Sequence, residues 1–164
     1  MNKKKIIGYT SGVYDMFHIG HLNLLKSAKD ECDYLIVAVS TDELVFKYKN
    51  KYPIIPLNER KEIIKAIRYV DKVVDQESRD KILAFNKYKF DIMFVGDDWL
   101  GDLKFIEVDN YMKNNNALGV KYLPYTKGIS STKLKIVLEK LYKEIENWGF
   151  ECLVMANGIV FAKY

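Results

Sequence analysis

Short apolar runs rich in β-branched residues alternate along this chain with stretches whose apolar residues recur every three or four positions. KIIGYT (Lys5–Thr10), YLIVAVS (Tyr34–Ser40), KVV (Lys72–Val74) and DIMFVG (Asp91–Gly96) read as strands, and VKYL (Val120–Leu123) as a weaker fifth. The runs are continuous rather than alternating, as in strands buried on both faces. Helical spacing links Leu22, Leu25 and Ala28, then Ile63, Ile64 and Ile67, then Ile82, Leu83 and Phe85, then Phe105, Ile106 and Met112. Leu134, Val137, Leu138, Leu141 and Ile145 form the clearest amphipathic stripe. Strand–helix alternation of this kind predicts an α/β fold, a Rossmann-like doubly wound parallel sheet of about five strands. Ligands of such sheets bind beyond the carboxyl ends of the strands, where strand order reverses.

The tail has a different pattern. ECLVMANGIVFAKY is apolar on both sides of Asn157-Gly158, and an Asn-Gly pair between two such runs predicts a β-hairpin. The expected organisation is one domain over residues 1–140, followed by a C-terminal extension, 141–164, made of the helix end and this hairpin. The hairpin's edges would invite strand pairing, as across a dimer.

Composition adds limits rather than direction. The 164 residues are 49% hydrophobic and 29% charged, an ordinary globular balance. The net charge of +4 is dispersed, and the run Lys3–Lys5 is too short to argue for a nucleic-acid arm. Cys32 and Cys152 lie far apart without metal-ligand spacing, which fits free thiols in a reducing cytoplasm. No apolar segment is long enough for a membrane span or a secretory signal. The reading is a soluble cytoplasmic protein that binds neither nucleic acid nor membrane.

The chemistry concentrates in SGVYDMFHIGHLNLL (Ser11–Leu25), which holds both histidines of the chain. His18 and His21 fall at the end of the first strand and the start of the first helix, where unpaired N–H groups and the helix dipole favour an anion. Gly12 and Gly20 remove side chains where a phosphate would approach the backbone. The loop is neither the G-x-G-x-x-G fingerprint of dinucleotide enzymes nor a P-loop. A zinc site would need further ligands, with Asp15, Asp97 and Asp98 the nearest candidates, but no ligand motif supports one.

GVYDMFHIGHLNLL resembles the H-x-G-H signature of a nucleotidyltransferase superfamily. RYVDKVV (Arg68–Val74), GDDW (Gly96–Trp99) and YTKGISST (Tyr125–Thr132) resemble three further segments of its cytidylyltransferase branch, most of all the bacterial glycerol-3-phosphate enzymes. The resemblance spans residues 5 to 140. It implies transfer of CMP from CTP to a small phosphorylated acceptor, release of pyrophosphate, Mg²⁺ carried mainly by the CTP phosphates, and a homodimer with RYVDKVV at its contact. It implies catalytic roles for His18, His21, Lys47, Lys49 and Thr126, with the two lysines in a loop after the second strand that closes over phosphates. Gly12, Val13, Tyr14, Asp15 and Gly20 would line the nucleotide site. Arg60 would face the substrate region, and Arg68 would support the acceptor site or the dimer. Gly96, Asp98 and Trp99 would form the cytosine end, with the Asp98 carboxylate accepting from the exocyclic amine. Tyr125, Ser130, Ser131 and Thr132 would form a second phosphate cradle.

One position departs from the pattern. The family signature opens on arginine where this chain has Tyr125, so a permanent charge and a planar fork are replaced by a ring and a hydroxyl. This favours a divergent acceptor with activity kept. The alternatives are an adenylyltransferase on the same scaffold and a nucleotide-binding module without catalysis.

Overall fold

A computed structural model describes residues 4–147, 150–155 and 158–163, with side chains described for residues 4–144. The chain divides into two compact units, 1–128 and 129–164. The expected boundary at 140/141 falls inside the last helix.

The first unit contains β1 (Ile7–Gly12), α1 (Ile19–Asp30), β2 (Tyr34–Ser40), α2 (Asp42–Lys49), α3 (Leu57–Lys65), β3 (Lys72–Gln76), α4 (Lys81–Tyr88), β4 (Ile92–Gly96), α5 (Leu103–Asn114) and β5 (Gly119–Leu123). A short 3₁₀ turn, Asp97–Trp99, follows β4. The five strands form one sheet in the order β3-β2-β1-β4-β5, and every neighbouring pair is parallel. Strand order therefore reverses between β1 and β4, and a ligand crevice is expected above that junction.

β2 shows why the strands read as unbroken apolar runs. Leu35, Val37 and Val39 enter one core with Leu25, Ala28 and Ile64, while Ile36 and Ala38 enter a second core with Phe85, Phe90, Val108 and Met112. Alternate residues thus serve opposite faces, with α1 and α3 on the first and α4 and α5 on the second. Aspartates tie down the amino ends of the strands: Asp33 accepts from Ile6 N, Asp91 from Ile7 N and Asp71 from Leu35 N. β1 begins and ends two residues later than the pattern suggested, and so reaches Gly12.

α2 corrects one expectation. Lys47 and Lys49 do not lie in a loop; both sit in the last turn of this helix. Thr41 caps it by accepting from Leu44 N at 3.1 Å, and Asn50 closes it in the left-handed conformation, φ 52°.

In the second unit, α6 runs from Ser131 to Asn147, and β6 (Phe150–Met155) pairs antiparallel with β7 (Gly158–Lys163). That pairing is the expected hairpin; its Asn157 and the side chain of Cys152 lie outside the described residues. No helix among the described residues is long and apolar enough to cross a membrane.

Candidate active site

The loop from β1 to α1 is held in an unusual backbone path. Tyr14 (φ 54°) and Met16 (φ 50°) are both left-handed, which is uncommon away from glycine. Buried Tyr14 and Asp15 hold the loop in this path. Tyr14 is in the core, and the Asp15 carboxylate accepts from Ile54 N at 3.0 Å and Ile55 N at 2.9 Å. Val13 contributes its carbonyl, which accepts from Arg60 Nη1.

The loop delivers the two histidines as a pair. Their rings stack with centroids 3.9 Å apart and planes 23° apart. His18 is the N-cap of α1: its Nδ1 accepts from Gly20 N at 3.1 Å, and the His18 N–H donates to His21 Nδ1 at 3.3 Å. A ring nitrogen that accepts carries no proton, so in the neutral form each imidazole bears its hydrogen on Nε2. Burial lowers both pKa values. For His21 the value falls from 6.5 to about 4, with burial the first cause, repulsion from His18 the second, and Asp15 opposing. The pair is uncharged at neutral pH and offers two N–H donors at a helix amino terminus. The Tyr14 ring meets His21 edge-on at 5.4 Å and Phe17 lies 5.5 Å away, fixing that imidazole.

The glycines make room for side chains as much as for a ligand. A Cβ on Gly20 would come within 2.9 Å of the His18 ring, and one on Gly12 within 3.2 Å of the Tyr14 ring. The space first assigned to an approaching phosphate at Gly12 is therefore taken by Tyr14. Similarly, Asp98 Oδ1 lies where a Cβ of Gly96 would stand.

Thr126 joins the histidines. Its Oγ1 accepts from Asn23 Nδ2 at 3.1 Å, and its Cβ lies 3.6 Å from the Cβ position of Gly20. Asp97, weighed from the sequence only as a zinc ligand, accepts from Tyr125 N at 3.0 Å and so ties YTKG to the end of β4. Tyr125 and Trp99 are exposed, and Trp99 leans edge-on against Phe105 of α5 at 5.7 Å. Asp98, also exposed, remains at the carboxyl end of β4.

One arginine falls elsewhere than expected. Arg60 does not face a ligand; it is completely buried. Its guanidinium donates to the carbonyls of Ile55, Val13 and Ser40 and pairs with the Asp42 carboxylate. Arg68 follows α3 and precedes β3, at the amino ends of the strands and away from the histidines. There it lies on the Tyr69 ring and donates to Tyr69 Oη at 3.0 Å. In the second unit Ser130 caps α6, its Oγ accepting from Lys133 N at 3.2 Å, with Ser131 and the exposed Thr132 following.

A family model described as cytidylyltransferase-like matches residues 9–136. The chain belongs to that family. Its members share enough of this sequence to make it an enzyme of the cytidylyltransferase type. It is 39% identical over 133 residues to a glycerol-3-phosphate cytidylyltransferase of Bacillus subtilis, covering 80% of this chain and 95% of that protein. It is 34% identical over 142 residues to an FAD synthase of Thermococcus sibiricus, covering 85% and 94%. Among solved structures, a lipopolysaccharide core biosynthesis protein of Thermoplasma volcanium superposes with a TM-score of 0.63 at 27% identity, covering 77% of this chain and all of that one.

Proposed function

We propose that the protein transfers CMP from CTP to a small phosphorylated acceptor and releases pyrophosphate. The stacked pair His18–His21, both Nδ1 atoms turned inward and both Nε2–H groups left to donate, carries this reading. An acceptor phosphate monoester is already largely dianionic near neutral pH, its second pKa being about 6. Its oxygen attacks the α-phosphorus, the bond from that phosphorus to the bridging oxygen of the β-phosphate breaks, and pyrophosphate leaves with the electron pair. No base is required. The reaction needs alignment and stabilisation of charge on the α-phosphate and leaving group, which two neutral N–H donors at a helix amino terminus supply.

Mg²⁺ is proposed to arrive with CTP, its ligands chiefly triphosphate oxygens. The Asp15 carboxylate nearest the histidines in sequence is already accepting two backbone N–H bonds. When bound, the cation would offset phosphate charge; alignment remains the task of the histidines. A homodimer in the cytoplasm, with Arg68 and Tyr69 at its contact, completes the proposal. The glycerol-3-phosphate cytidylyltransferase relative favours that acceptor, while Tyr125 favours one that differs from it.

The test is pyrophosphate release with Mg²⁺, each nucleoside triphosphate in turn and a panel of phosphorylated alcohols and sugars. Release with CTP alone is expected. Release with ATP alone would replace this reading by adenylyl transfer, which the FAD synthase relative favours. CTP binding without release from any acceptor would mean a binding module.

A further inference from the structure

Asn23 interrupts an apolar run, Leu22–Leu25. It lies in the second turn of α1, past the position that caps the helix, where asparagine is a poorer helix former than the leucines beside it. Its side chain reaches across the fold instead: Nδ2 donates to Thr126 Oγ1 at 3.1 Å. Residues 20 and 23 lie one turn apart on the same face of α1, and Thr126 Cβ stands 3.6 Å from the Cβ position of Gly20. The threonine thus rests on the bare first turn of the histidine helix and is held by the amide one turn further on. On its other side Asp97 accepts from Tyr125 N. The segment after β5 is fastened twice, to the end of β4 and to the helix of the histidines.

The direction of the Asn23 bond decides what the hydroxyl can do. A threonine hydroxyl has one proton to give and two lone pairs to receive. Asn23 Nδ2 occupies a lone pair, and among the described residues no acceptor takes the proton. An acceptor in place of Nδ2 would consume it. The O–H is therefore kept as a donor, beside a helix amino terminus that already offers the Nε2–H groups of His18 and His21. Neutral donors of this kind stabilise developing phosphate charge most when they are aligned in advance. Holding the rotor of Thr126 before the nucleotide arrives also spares the entropy of ordering it on binding.

We propose that Asn23 is a positioning residue for the transfer: its amide holds the Thr126 hydroxyl on the histidine helix with its proton free for the triphosphate. The inference rests on the cytidylyl-transfer reading above and deepens it. Asn23 touches neither substrate; it acts through Thr126, and the two halves of the phosphate site, one after β1 and one after β5, work in register because this bond joins them.

Wild-type protein, Thr126→Val, Asn23→Leu, Asn23→Asp and the double variant Asn23→Leu/Thr126→Val are compared by pyrophosphate release with Mg²⁺, CTP and the acceptor that wild type uses best. Thr126→Val keeps the shape and removes the hydroxyl, so kcat should fall about tenfold or more. Asn23→Leu leaves the hydroxyl free to rotate and should lower kcat about fivefold, the size of one net hydrogen bond. In the Thr126→Val background the same change should cost less than about twofold, because the group it acts through is gone. Asn23→Asp, which offers acceptors only, should fall below Asn23→Leu. Losses that multiply in the double variant, or an Asn23→Asp protein as active as wild type, overturn the proposal. Should Asn23→Leu fail to fold, Asn23→Ser, too short to reach Thr126, takes its place in the cycle. If wild type releases no pyrophosphate with any acceptor, the transfer reading fails by itself, and calorimetric binding of inorganic tripolyphosphate then decides on Asn23. Affinity that falls in Thr126→Val and falls no further in the double variant supports the assignment; no binding by wild type, or losses that multiply, sink it.

Discussion

His18 does two jobs with two atoms. Nδ1 caps α1, and Nε2–H is left for phosphate, so substitutions can separate the roles. Asparagine caps well but cannot reproduce the Nε2 donor. His18→Asn should melt close to wild type while kcat falls by about a hundredfold or more, the usual cost of one lost transition-state donor. His18→Ala should lose comparable activity and, in addition, about 1 kcal/mol of stability in urea unfolding. Equal stability of the two variants would mean the cap contributes nothing. His21 makes the fold acid-sensitive. Its folded pKa is about 4, below the ordinary 6.5, so between these values the unfolded chain holds more protons than the native one. Stability is full above about 6.5 and declines as pH falls toward 4. The midpoint of thermal unfolding should drop across that window, and His21→Asn should flatten the decline.

At the scale of elements, Arg60 on α3 gathers the histidine loop (Val13), the end of β2 (Ser40), the segment before α3 (Ile55) and α2 (Asp42). Arg60→Ala strands several buried acceptors and the Asp42 carboxylate together. It should cost about 3 kcal/mol or more in urea unfolding and reduce turnover through a loosened loop. A surface-like loss of a few tenths would place Arg60 outside the core.

What the sequence disclosed follows from periodicity. β2 and β4 bury side chains on both faces, so their apolar runs are unbroken and legible. α2 buries only Leu44 and Val45, too few to mark a helical stripe; Thr41, the acidic first turn and the lysines of the last turn were its only signals. The histidine pair was legible because spacing and glycines are local properties. Arg60 was not, because a guanidinium among charged neighbours reads as surface until four distant acceptors surround it. Asp97 was weighed only as a metal ligand for a similar reason: its contact is with Tyr125, which sequence distance hides.

For the whole molecule, the sheet brings its working residues to one edge from separate parts of the chain. His18 follows β1, Asp98 follows β4 and Thr126 follows β5. A nucleotide touching several of these ends would bind the folded chain and not the unfolded one. At a concentration of about a hundred times its dissociation constant, CTP should therefore stabilise the protein by about 2.7 kcal/mol. Differential scanning calorimetry should show a rise in melting temperature with CTP and little with ATP. An equal rise with both would remove base discrimination from the Asp98 end.

The reciprocal cap at the start of α1 also bears on how such a protein would age in evolution. A lineage that no longer needs the reaction would still need this helix to begin here. Asn, Ser or Asp at position 18 would meet that need at once, whereas most other replacements would weaken the fold. Decay should therefore leave a trace with direction: a small polar residue at position 18, Gly20 released from its duty to the imidazole, and position 21 drifting next. A relative carrying that combination would be expected to fold and to have stopped catalysing, which makes position 18 a gauge of activity readable across genomes.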